Sequence, residues 1–165
     1  MNRTHVDAPP SRVWAVLADP TAYRHWVVGS VDVRAVDPGF PLAVGSRFHH
    51  AVGIGPLRLP DHTEVLEATE PGHLRLEAKG RPLGRAIVDL RVVPEGAGSR
   101  VEIREEPSSP VSRATHNPLA DALVKLRNVE SLRRLSALAE GRAEVPATTL
   151  RPEAHRAGDQ VPRGG

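Results

Sequence analysis

From residue 31 to 106, apolar side chains recur at every second position, and that alternation limits what the chain can become. Val31-Asp32-Val33-Arg34-Ala35-Val36 begins it; Leu74, Leu76 and Ala78 then alternate with Arg75, Glu77 and Lys79. Ala86, Val88, Leu90 and Val92 oppose Ile87, Asp89, Arg91 and Val93, and Val101 and Ile103 oppose Arg100, Glu102 and Arg104. Successive side chains of a strand point to opposite faces, so each segment predicts a strand with one apolar face and one mostly charged face. Short turn sequences separate them, among them Asp37-Pro38-Gly39, Gly53-Ile54-Gly55-Pro56, Glu70-Pro71-Gly72 and Gly96-Ala97-Gly98. Connections this short join antiparallel neighbours. The expectation is six consecutive antiparallel strands, with Pro60 marking a bulge or an edge in the strand 57–68. A sheet with one apolar face must bury it against something.

The segment from about Pro118 to Glu140 is the natural cover. Leu119, Ala122, Leu123 and Leu126 share a helix face, after which Val129, Leu132, Leu135 and Leu138 come every three residues. A three-residue step falls about 60° short of a full turn, so this stripe winds round the helix. The pattern predicts an early half packed on the sheet and a later half packed elsewhere, with a second subunit as one candidate. Beyond Gly141 the sequence loses all period; residues 142–165 are expected to form a disordered tail behind a domain spanning 1–141.

The start of the chain fixes the topology further. Pro9-Pro10 opens a short helix whose apolar stripe is Val13, Trp14 and Leu17, and Asp19-Pro20 opens a second that ends on Tyr23-Arg24-His25-Trp26. Pro suits a first helical turn, where its missing N–H is not needed, and Asp is a good N-cap. One strand, two short helices, a run of strands and a long helix is an unusual order. Over roughly residues 1–140 it resembles the START-like (SRPBCC) superfamily, and within it the polyketide cyclase/dehydrase and lipid-transport family. The resemblance implies an α+β helix-grip fold: a seven-stranded curved antiparallel sheet, two short helices and a long C-terminal helix enclosing an apolar cavity. It implies a hydrophobic small-molecule ligand, such as a lipid or an aromatic polyketide. An aromatase/cyclase that closes and dehydrates a poly-β-ketone is the alternative.

Composition narrows the chemistry. With no Cys there is no disulfide, thiol nucleophile or Cys-based metal site. No early apolar run suggests a secretion signal and no segment approaches membrane-spanning length, so a cytoplasmic protein without stable membrane insertion is expected. The formal charge of +2 is spread over the chain, with no basic stripe interleaved with aromatics, which argues against nucleic acid as a partner.

His49-His50, with Asp61-His62-Thr63-Glu64 on the returning strand, is the densest polar cluster. Phe48 and Val52 share a face with His50, making it the inward candidate, and the hairpin brings Asp61 opposite, or His62 if Pro60 slips the register. A carboxylate beside an imidazole is what a general base needs. The same residues could instead satisfy each other as a buried structural pair. No HxH or HExxH spacing supports a metal, and no cofactor is implied. The pocket is expected to be lined by Phe48, His50, Leu76, Val88, Leu90 and Leu123. The resemblance makes Trp26 a gate at the cavity mouth, while Arg127 could anchor an acidic ligand group.

Overall fold

The computed structural model describes residues 1–54, 57–80, 84–109 and 118–143. Strand β1 (Asn2–Val6) leads into α1 (Pro10–Ala18), a 3-10 turn (Pro20–Ala22) and α2 (Tyr23–Trp26). Then come β2 (Ser30–Val36), β3 (Arg47–Ile54), β4 (Leu57–Thr69), β5 (His73–Gly80), β6 (Gly84–Glu95), β7 (Gly98–Pro107) and α3 (Pro118–Ala139). The seven strands form one antiparallel sheet in the order β1-β7-β6-β5-β4-β3-β2.

Local chemistry sets these elements. Pro10 opens α1, and Val13, Trp14 and Leu17 are its buried face. Asp19 caps the following turn, its Oδ1 accepting from the Thr21 N–H at 2.8 Å and the Thr21 hydroxyl at 2.7 Å. The expected second helix thus divides into a 3-10 turn and one α-helical turn. Consecutive strands pair as hairpins, and only β1 crosses back to close against β7, with Asn2 opposite Ile103. That closure needs Gly98: a Cβ there would sit 2.3 Å from the Val6 carbonyl oxygen. Ser99 completes the junction, donating to the Ala8 carbonyl at 2.7 Å.

Pro60 makes no bulge against β3; pairing runs unbroken from Arg47 opposite Glu64 to Ile54 opposite Leu57. The ladder to β5 begins only at Thr63 opposite Ala78, so Pro60 lies where β4 has β3 as its recorded neighbour. An edge-like position tolerates the missing N–H.

The helix reverses the expected packing. Leu132, Leu135, Leu138 and Ala139 are buried, whereas Leu123, Leu126 and Val129 are 59 %, 66 % and 55 % exposed. It is the later half that packs, chiefly against β1, α1 and α2. The winding stripe explains it: three steps of three residues turn Leu132 about 180° away from Leu123, so only one half can face inward. Tethers select the half. The Asp7 N–H donates to Glu140 at 2.9 Å and the Val28 N–H to the Ser131 hydroxyl at 3.2 Å. The expected tail begins at 142, but the Arg142 and Ala143 N–H groups both donate to the Ala137 carbonyl and finish the helix cap. Residues 144–165, which make up the rest of that tail, lie outside the described residues.

Candidate functional site

Parity sorts the described polar groups onto two faces. Outward rows carry ion pairs such as Arg47–Glu64 and Arg91–Asp89, and His73 lies between Glu67 and Asp89 at 3.4 and 3.1 Å. His62 is also outward; burial, then the Lys79 ammonium 2.7 Å from its Nε2, hold its pKa below the ordinary imidazole value. Inward rows are apolar except at a few positions, and those positions define the candidate site.

His50 is one of them, 7 % exposed, with Asp61 directly opposite on β4 at 6 %. The expected register therefore holds, and both side chains lie on the sheet's inner face. The bond that His50 makes through Nε2 is to the Thr63 hydroxyl at 3.0 Å, while Asp61 Oδ1 accepts the His62 N–H at 2.8 Å. Thr63 is in phase with Asp61 two residues on, so strand parity was the signal for it. At the far side of the face, Glu105 on β7 keeps only 14 % of its side chain exposed and pairs with Arg127 from α3. Arg127 is thereby matched to a carboxylate of the protein itself.

Four of the five aromatic side chains gather beside His50. Ring centroids are 5.0 Å apart for Tyr23–Trp26, 4.6 Å for Tyr23–Phe48, 5.3 Å for Phe40–Phe48 and 5.3 Å for Phe48–His50. Their tilted and edge-on arrangements are the favoured aromatic geometries. Tyr23 is buried and donates its hydroxyl to the Leu17 carbonyl at 2.9 Å; burial, then the Asp19 charge, push its pKa up. It is a packed residue whose hydroxyl proton is committed to that carbonyl. Phe40 and Tyr23 were not among the expected site residues, because Phe40 lies in a turn and α2 is a single helical turn, too short for a period to mark a face.

Trp26 is 2 % exposed, embedded in this cluster. Phe48, Leu76 and Leu90 are buried on the inner face and Val88 partly so. Leu123, expected among them, is turned to solvent for the geometric reason given above. Two cavities among the described residues lie at the β1 edge: one of about 380 Å³ by Arg3, His5, Glu95 and Arg100, one of about 320 Å³ between β1 and α3. Among the described residues, no three His, Asp or Glu side chains converge as a metal site would require. No described helix is long and apolar enough to cross a membrane.

A single antiparallel sheet closed over a C-terminal helix, with an aromatic-lined inner face, defines the helix-grip class of ligand-binding folds. The sequence matches the family described as polyketide cyclase/dehydrase and lipid transport over residues 2–140, and the chain belongs to that family. No curated protein matches it. Solved structures agree on the fold. Protein NE0264 from Nitrosomonas europaea is 18 % identical with a TM-score of 0.66, over 86 % of this chain and 94 % of that one. Protein CV1439 from Chromobacterium violaceum is 24 % identical with a TM-score of 0.62, over 84 % and 96 %. A protein from Arthrobacter aurescens is 18 % identical with a TM-score of 0.65, over 95 % and 91 %.

Proposed function

We propose that the protein binds a hydrophobic small molecule, a lipid or an aromatic polyketide-like compound, against the inner face of the sheet. One observation carries the reading: the aromatic cluster of Tyr23, Trp26, Phe40 and Phe48 ends on a small buried polar group, His50 with Thr63 and Asp61. An apolar wall with a few placed polar groups is how ligand sites hold and orient a hydrophobic guest. Phe48, His50, Leu76, Val88 and Leu90 are its wall on the sheet, and Trp26 belongs to it through Tyr23. Native mass spectrometry of protein purified without denaturation should show a bound small molecule, and uncharged Nile red should bind with a blue-shifted emission. Failure of both would overturn the proposal.

The cyclase reading rests on the inward register of His50 opposite Asp61. There the imidazole would move protons during aldol closure, and His50→Ala would lower turnover of a poly-β-ketone by about 10²-fold or more. A carrier would bind the same compound and return it unchanged.

A further inference from the structure

We infer that the interior ligand is uncharged and presents an oxygen acceptor to the Trp26 indole N–H, making Trp26 the specificity-determining donor. This rests on the ligand-binding reading above. Trp26 is 2 % exposed, and its Nε1 meets no hydrogen-bond acceptor among the described residues. Buried indole N–H groups usually find a partner, and one left without is destabilising, so a ring that only filled space would be better served by Phe. The neighbouring Tyr23 hydroxyl is not available for a ligand, being committed to the Leu17 carbonyl. The α2–α3 junction holds further polar groups: Ser131 takes the Val28 N–H, and Asn128, one turn earlier on α3, is 4 % exposed.

Charge decides the ligand class. Among the described side chains the inward rows of β3 to β7 hold no lysine or arginine. Arg127, which reaches them from α3, meets Glu105, and Asp61 adds a second inward carboxylate. Among the described side chains a fatty-acid or aromatic carboxylate would find no lysine or arginine counter-ion on these rows and would lie beside like charge, a costly arrangement. A ketone, quinone or ether oxygen carries no such cost and can accept the indole N–H. The apolar body of such a compound matches the Phe48, Phe40 and Tyr23 rings.

Three flat probes of one ring system separate these terms: naphthalene, 2-acetylnaphthalene and 2-naphthoate, titrated at pH 7 into the full chain. Binding is followed by calorimetry and by the two tryptophan indole N–H resonances, with Trp26→Phe assigning which is which. The ketone should bind about ten-fold tighter than naphthalene and move the Trp26 resonance downfield; the carboxylate should bind at least about ten-fold weaker than the ketone. In Trp26→Phe the preference for ketone over naphthalene should vanish while naphthalene still binds. Carboxylate binding as tight as the ketone, or an unmoved Trp26 resonance on ketone binding, overturns the inference in the unaltered protein, whether or not the variant folds. If naphthalene binds but the ketone shows no preference, this inference falls and the binding reading stands. If none of the three binds, this inference falls, and native mass spectrometry with Nile red decides the binding reading.

Discussion

The two halves of α3 carry similar apolar residues and meet opposite fates. Leu132 and Leu135 are 2 % and 0 % exposed, while Leu123 and Leu126 are more than half exposed. Composition cannot separate them. What separates them is where the surrounding chain holds on, since Asp7 and Val28 bind the later half directly through Glu140 and Ser131. The same division runs through the domain. One end, built from β1, β7, α1 and the later half of α3, is packed and tethered; the other, around β3 and β4, places its polar groups inside.

Leu135→Ala, at the tethered end, tests the comparison most severely. It should cost about 2–5 kcal/mol in denaturant unfolding, the usual range for a fully buried leucine. A loss below about 1 kcal/mol would mean the later half is not the anchor. At the other end, His50→Ala should cost about 1–3 kcal/mol by stranding buried polar partners. An unchanged midpoint would show that the His50–Thr63 bond has no structural weight. Leu126→Gln, on the exposed half, should stay within about 0.5 kcal/mol of the parent. A loss matching that of Leu135→Ala would erase the distinction between the halves.

The outer face offers a finer probe. Burial opposes ionisation of Asp89, but the His73 hydrogen bond and charge, with Arg91, outweigh it and leave its pKa below the ordinary value. A carboxylate depressed in the folded state contributes stability above its unfolded pKa and loses it as pH falls through the folded pKa. The stability of the parent should therefore drop on acidification below about pH 4, and Asp89→Asn should show a shallower acid limb. Equal slopes would show that the outer-face pairing is not coupled to folding. The smallest effect concerns the helix end: truncation after Ala143 should leave the melting temperature unchanged, whereas truncation after Gly141 removes two bonds to the Ala137 carbonyl and should lower it slightly. Equal melting temperatures would show that this cap contributes nothing.

The strands were legible because period two is written directly into residues such as Leu74, Leu76, Val88 and Leu90. The turn chemistry was legible for the same reason, and with it the register that sets His50 against Asp61. The helix was legible as a helix, but which half faces inward depends on tethers from Asp7 and Val28, contacts distant in sequence that no local pattern encodes. The aromatic cluster was hidden likewise: Phe40 sits in a turn and Tyr23 in a one-turn helix, and both meet Phe48 only after folding. The Arg127–Glu105 pair joins α3 to β7, a contact between segments that no local pattern encodes.

The closure of β1 on β7 has a kinetic consequence. Asn2 pairs with Ile103, so the first strand made during synthesis waits for the last before it gains a neighbour. Until then its apolar side, Val6 included, has no ladder to join, and the sheet exists only as a series of hairpins that can form locally. Closing a loop of this length costs entropy before the pairing rewards it, and non-local pairing of this kind slows folding. The pairing that finishes the sheet goes with α1 packed beside α3, so the tethered end is held by contacts far apart in sequence, Asp7 with Glu140 among them.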